Sequence, residues 1–411
     1  MMEVVFNRTM ATSEQSARTF DVRAISLVVA IGVVALAVAM GIGRFAFTPL
    51  LPLMLRDGTM SATTGAEWAA ANYGGYLIGA LSASRFSRNA PLGLAFGLGG
   101  VALTTLAGAF VDGSSMALSG AALRAAAGVF SAWVLVCASS WCLMALARLR
   151  AVHMGAWIFT GVGLGIALTG MLAWLGGRQS ANSLWLELGA AALLGTLAVL
   201  ALLNTQRRNG SAAAGHPSPS PTEDDADGNL LLVLCYGTFG FGYIVPATFL
   251  PTMAREQVSD PLVFGLTWPI FGLAAALSVG ASARLLSNWP RRRLWSLAQG
   301  TMALGTALPL ATRSLWALAA SAVLVGGTFM VATMAGLQLA RERCPRNPTP
   351  LLARMTVAFA AGQIAGPLVV RLLSLGTWAH WDAVALTNAV ATVLLAVTAV
   401  WLWGGSRLRA T

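Results

Sequence analysis

Arg44 and Arg124 each lie deep inside an apolar run, in AMGIGRFAFTP and SGAALRAAAGV. A guanidinium stays ionised in a protein, so an arginine at such a place needs an anion, carbonyl oxygens or an aromatic face beside it. Its planar fork can bind a carboxylate or phosphate through two charge-assisted hydrogen bonds, which makes Arg44 a candidate for holding an anionic substrate, most simply a carboxylate. The other reading is a structural arginine paired with Glu67 or with backbone carbonyls. Arg124, with Gly128 and Ser131 continuing its helix face, is a candidate for coupling or gating, or for a helix contact through carbonyls. Carboxylates are scarce in the apolar runs. Glu67 and Glu187 lie near the start of theirs, and either could exchange a proton or simply sit in the wet interface. Glu67 is the stronger coupling candidate because Asn72, Tyr73 and Tyr76 follow it on the same segment.

Uncharged polar side chains complete the set. Asn72 and Tyr76 are four apart and share a helix face, and Tyr236 with Tyr243 and Thr356 with Gln363 repeat this at seven. Polar side chains on one face of a membrane helix point to protein or a cavity rather than to lipid, so they line a pathway or bond neighbouring helices. The candidate substrate-binding residues are thus Arg44, Asn72, Tyr76, Tyr243 and Gln363, with Glu67 and Arg124 for coupling or gating. Cys137, Cys142, Cys235 and Cys344 show no CxxC spacing, and His153, His216 and His380 are dispersed, so no metal site or cofactor is expected. No nucleotide-binding P-loop, HExxH or GxSxG occurs, so neither an ATP-driven pump nor an enzyme is expected.

The elements carrying these residues must be membrane helices. The chain of 411 residues is 57% hydrophobic and 10% charged, against about 25% charged in a typical soluble domain. Such a chain cannot cover a water-facing surface. With about 20 apolar residues needed per crossing, charges and turn residues divide it into twelve spans. They run 25–53, 63–86, 91–111, 117–146, 153–176, 182–205, 229–253, 262–286, 293–311, 315–340, 351–374 and 382–405.

The net charge is +11 and every basic side chain is arginine. Alternating the loops gathers most loop arginines on one side and leaves Arg56, Arg178, Arg255 and Arg313 on the other. This positive-inside bias puts both termini in the cytoplasm and argues against nucleic-acid binding. Residues 1–23 read as a cytoplasmic N-terminal segment. The stretch 206–228, containing HPSPSPTEDDADG, reads as a flexible cytoplasmic linker between six-helix bundles at 24–205 and 229–411.

The two halves repeat. At an offset of 199 positions Gly41 meets Gly240, Leu51-Pro52 meets Leu250-Pro251, Arg85 meets Arg284, Asn89 meets Asn288 and Gly128 meets Gly327. Two parallel six-helix repeats predict an all-α transporter fold in which the substrate binds between the halves near the midplane.

The segments GIGRFAFTPLLPLM at 41–54, ANYGGYLIGAL at 71–81 and GVGLGIALTG at 161–170 resemble the YbfB/YjiJ family of major facilitator transporters. The resemblance implies a multi-pass protein of the bacterial inner membrane working by alternating access, and the lack of a nucleotide site together with the few ionisable groups in the spans points to coupling by protons. A small organic anion is the expected substrate, with efflux of drugs or hydrophobic solutes as the alternative, and a non-transporting sensor as the reading from another class. A monomer in the lipid bilayer is expected. Two departures stand out. The loop between the second and third spans, SASRFSRNAP, lacks the acidic residue usual in the superfamily, and GVGLGIALTG lacks the proline of the antiporter motif. The placement of Arg44 before Pro52 is also similar to that of the first-helix arginine of glycerol-3-phosphate transporters. Those proteins carry a second arginine on the seventh helix, where the repeat-equivalent position here is Tyr243. One arginine favours a single negative charge over a phosphate dianion.

Overall fold

A computed structural model of the chain describes residues 22–86, 89–111, 116–208, 229–258, 260–286, 289–312, 314–344, 349–376 and 381–404. The expected N-terminal segment up to residue 21, the linker from residue 209 to 228 and the C-terminus beyond residue 404 lie outside the described residues. So do His216, His380, Arg88, Arg313, Arg346, Arg407 and Arg409.

Twelve membrane-length segments follow one another. They are α1 (Val22–Arg56), α2 (Ala62–Ser82), α3 (Ala90–Gly108), α4 (Met116–Arg148), α5 (Thr160–Leu175), α6 (Ala181–Arg208), α7 (Leu230–Gln257), α8 (Thr267–Leu285), α9 (Arg291–Ala311), α10 (Leu315–Arg343), α11 (Thr349–Leu373) and α12 (Ala383–Gly404). A 3-10 stretch, Val152–Phe159, leads into α5. Among the described residues nine segments are long and apolar enough to cross a bilayer by composition alone. The exceptions are α2, α8 and α9, and α2 and α9 owe this to polar side chains. In α2, Asn72 and Tyr76 face protein, and in α9, Ser296 and Gln299 do. Elsewhere large apolar side chains such as Leu103, Leu194, Leu277 and Val400 stand exposed on the outer surface. A water-soluble protein would hide them, whereas hydrocarbon solvates them.

The same pairings recur in each half. Helix α1 packs on α5 as α7 packs on α11, α2 on α4 as α8 on α10, and α3 on α6 as α9 on α12. Glycines allow the close contacts. A Cβ on Gly161 or Gly165 would lie 2.2 or 2.4 Å from the α1 carbonyls of Val33 and Ala37, and one on Gly362 would lie 2.2 Å from Gly237 O. Small residues at this spacing let backbones meet and gain dispersion contacts along the crossing.

Among the described residues the most extensive contacts between the halves are α1 with α7, α2 with α11 and α5 with α8. Thr48 Oγ1 donates to Ala247 O at 2.9 Å. Residues 48 and 247 are repeat mates, so the pseudo-two-fold axis passes close to this bond.

Candidate functional site

The site begins with an irregularity in α1. Residues Ala37–Arg44 form a π-helical stretch, and a turn at Phe45 and Ala46 leads to the last α-helical part, Phe47–Arg56. Phe45 N–H reaches back five residues to Met40 O. Pro49 lacks an N–H to give to Phe45 O, and Thr48 N–H turns to that carbonyl at 3.2 Å. The carbonyls of Gly43 and Arg44 are thereby released from the helical ladder. Arg124 of α4 takes both: Nη1 donates to Gly43 O at 3.0 Å and Nη2 to Arg44 O at 2.8 Å. The backbone of Arg124 is itself tied to α2, because Asn72 Nδ2 donates to Arg124 O at 2.8 Å. Short π stretches occur at functional sites because they release backbone groups and re-aim side chains.

The Arg44 side chain then points to the junction of the halves. It is 2% exposed. Its Cζ lies 4.0 Å from the centre of the Tyr76 ring, with Phe45 and Tyr73 at 5.3 and 5.4 Å. These faces attract the cation electrostatically. Its Nη2 donates to Gln363 Oε1 on α11, and Gln363 Nε2 donates to the Tyr243 hydroxyl on α7. Tyr243 is held flat between Phe329 and Phe359, at centroid distances of 5.4 and 5.6 Å and interplanar angles of 6° and 7°. Tyr73 adds a second bridge, with its hydroxyl 3.0 Å from Thr248 Oγ1. Among the described residues no carboxylate pairs with Arg44 or Arg124.

The structure therefore brings four of the candidate residues together: Arg44 and Tyr76 from one half, Tyr243 and Gln363 from the other. Asn72 does not join them, since its side chain turns to α4. Arg124 reaches the site only through the backbone it holds. Glu67 lies apart from Arg44, and its carboxylate pairs with Arg371 Nε, 2.8 Å away, across the α2–α11 contact. The two side chains, Arg371 and Glu67, are 44% and 39% exposed, at the end of the bundle remote from the termini. Glu187 is exposed on α6. Tyr236 packs with Phe239 and Trp295 in an aromatic cluster that runs on through Phe359 to Tyr243, and Thr356 donates to its own helix at Leu352 O.

Counted as a regular α-helix, α1 would place Met40, Gly41, Arg44 and Thr48 on one face, and Gly41 would leave room beside the guanidinium. Instead a Cβ on Gly41 would lie 2.3 Å from the Gly165 backbone. The π stretch breaks the i, i+4 register on which that face depends, and Gly41 serves the α1–α5 crossing. Sequence reasoning also passes over Arg371 and Thr248, and it names Tyr73 only as a neighbour of Glu67. Arg371 belongs to no loop, yet an arginine in the last turn of an otherwise apolar span is a signal that it has a partner nearby.

Comparison with known proteins fits this architecture. A family model described as "Uncharacterised MFS-type transporter YbfB" matches residues 36–401. No curated protein sequence matches the chain. Among solved structures, a point mutant of the nucleoside transporter NupG is similar with a TM-score of 0.68 at 12% identity, over 92% of this chain and 99% of that one. The human organic anion transporter MFSD10 (TETRAN) is similar with a TM-score of 0.60 at 18% identity, over the same 92% and 99%. At these identities the likeness is one of fold: twelve helices in two six-helix repeats.

Proposed function

The chain belongs to the family of MFS-type transporters typified by YbfB, and from that premise we propose that it carries a small organic anion with one negative charge across the bacterial inner membrane by alternating access, coupled to protons. One observation carries the substrate class. Arg44 is a buried cation at the junction of the two halves with no carboxylate partner among the described residues. A charge so placed is costly unless something anionic visits it. Tyr76 and Gln363 border the same guanidinium from opposite halves, so a ligand there would touch both moving bodies. That a protein of the same fold is an organic anion transporter is compatible with this reading, but the argument rests on Arg44.

The positive-inside bias sets the termini in the cytoplasm. On that reading the Glu67–Arg371 pair, which links α2 of one half to α11 of the other, lies at the outer end. Reporter fusions at residue 215 and at the C-terminus test this orientation, and an external signal from either would refute it. Glu67 is the proton-exchanging group in this scheme. Protonation removes its charge and with it the attraction to Arg371, which ties proton uptake to separation of α2 from α11.

The central experiment is Arg44→Lys in proteoliposomes, assayed with a panel of monocarboxylates with and without an imposed pH gradient. Lysine keeps the charge and loses the fork. Uptake is expected to fall by roughly tenfold, the worth of one charge-assisted hydrogen bond, with normal insertion and folding. Full transport at limiting substrate would refute the assignment. The aromatic stack Phe329–Tyr243–Phe359 is the observation that favours the second reading, efflux of hydrophobic solutes. Extrusion of an uncharged aromatic dye, unaffected by Arg44→Lys, would select it.

A further inference from the structure

Among the described side chains around Arg44, Gln363 gives Nη2 an acceptor, and the Tyr76 hydroxyl also meets the guanidinium through a side-chain hydrogen bond. Tyr76, Tyr73 and Phe45 also offer ring faces, and Gln363 Oε1, a planar carboxamide oxygen, accepts from Nη2. The carboxamide thus stands where an anionic group would be expected, and it is flat and nearly the same size as a carboxylate. It differs in having one acceptor oxygen instead of two. The bond it makes reflects that difference. Nε and Nη2 form one edge of the guanidinium, the edge that takes a carboxylate in bidentate fashion. Gln363 fills Nη2, and Nε remains buried without a hydrogen-bond partner. The other end of the carboxamide, Nε2, is spent on Tyr243 OH, so the side chain cannot turn to supply a second acceptor.

On the reading that Arg44 receives an organic anion, we propose that Gln363 is a neutral stand-in for the substrate carboxylate: it occupies the anion's place on Arg44 in the unloaded protein, is displaced when substrate binds through both Nε and Nη2, and so sets the preference for a monocarboxylate over a neutral amide. Displacement also breaks the Arg44–Gln363–Tyr243 chain, a buried polar link between the halves. Binding would therefore loosen the contact that must open during transport. A neutral stand-in has a second consequence. It satisfies part of Arg44 in the unloaded protein without holding it as tightly as a carboxylate would, and an unloaded carrier can still reorient.

The test uses full-length protein purified in detergent and, for transport, in proteoliposomes. Gln363→Glu supplies a tethered carboxylate. It is expected to raise the thermal midpoint at neutral pH, to lose that gain in an Arg44→Gln background, and to cut monocarboxylate transport by about tenfold or more while inserting normally. Gln363→Ala vacates the position. Sodium formate should then raise its thermal midpoint more than that of wild type, and formamide, the neutral isostere, should not. A gain in Gln363→Glu that is absent or independent of Arg44 overturns the proposal, as does an equal response of Gln363→Ala to formate and formamide. Should Gln363→Glu fail to fold, the formate comparison on Gln363→Ala decides alone. The two readings separate cleanly. Loss of monocarboxylate transport in Arg44→Lys with wild-type transport in Gln363→Glu refutes the stand-in and leaves the substrate class intact. Full transport in Arg44→Lys with an Arg44-dependent gain in Gln363→Glu refutes the substrate class and keeps the stand-in geometry.

Discussion

The α5–α8 and α2–α11 contacts occupy equivalent places in the two-fold arrangement, since α2 corresponds to α8 and α5 to α11, yet they are built from opposite chemistry. Between α5 and α8 the backbones touch. A Cβ on Gly163 would lie 2.3 Å from Ala276 N, one on Gly272 would lie 2.2 Å from Ala167 N, and one on Gly170 would lie 2.6 Å from Pro269. Between α2 and α11 the contact is made by side chains: the Glu67–Arg371 pair at one end, and Tyr76 and Gln363 on either side of Arg44 deeper in. A contact between small residues is close, rigid and indifferent to charge. A contact through ionisable and hydrogen-bonding side chains can be exchanged for water, protons or substrate. The repeat supplies the geometry twice, and in the proposed transport cycle the close copy would serve as the pivot and the other as the responsive seam.

Substitutions at the pivot should have the largest effect. In Gly163→Leu the new side chain meets backbone that cannot rotate away, so α5 and α8 must separate. Overpacking of this kind costs about 1–3 kcal/mol or more. Transport should be lost, with a lowered thermal midpoint, and wild-type uptake by this variant would show that the close approach is dispensable. On the α2 side of the seam, where that helix also meets α7, Tyr73→Phe removes the hydroxyl bonded to Thr248. Loss of one such bond is worth about 1 kcal/mol, and it should shift the balance between conformations more than the rate of unfolding. Cysteine accessibility on the two sides of the membrane would read that shift, and an unchanged pattern would remove Tyr73 from the seam.

The smallest effect on stability is expected at Glu67 and Arg371. Both are partly exposed, and pairs of that kind contribute roughly 0–1 kcal/mol. Their effect should appear instead in coupling. Glu67→Gln is expected to transport with a weakened response to an imposed pH gradient. The charge swap Glu67→Arg with Arg371→Glu should restore more activity than either single change. If the double variant is no better than the worse single one, the two side chains do not act as a pair.

Much of this was legible in the chain. Hydropathy separates the spans because each must bury about 30 Å of backbone without water. The arginine distribution predicts an even number of crossings. Arg44, isolated in AMGIGRFAFTP, announces itself because a guanidinium there needs an explanation. The aromatic Tyr243 is found by the repeat offset, and the structure links it to Arg44 through Gln363.

Periodicity was less reliable where the helix is irregular. A face counted in steps of four assumes an α-helix, and α1 leaves that geometry at Ala37–Arg44, which is why Gly41 turns to α5. Contacts between distant segments were not legible at all. Arg44 meets Gln363 from 319 positions away, and Glu67 meets Arg371 rather than either buried arginine.

The sequence alone determined that the chain lives in lipid, crosses it in twelve helices, repeats itself once and buries two arginines, because hydrophobicity, charge and periodicity are properties of each segment by itself. Only the tertiary structure decided what those arginines touch. In hydrocarbon every apolar helix face is nearly equivalent, so the choice of neighbour rests on glycine contacts and a few hydrogen bonds between segments hundreds of residues apart. Those few bonds divide the two arginines between different tasks, Arg124 holding the backbone and Arg44 facing the other half.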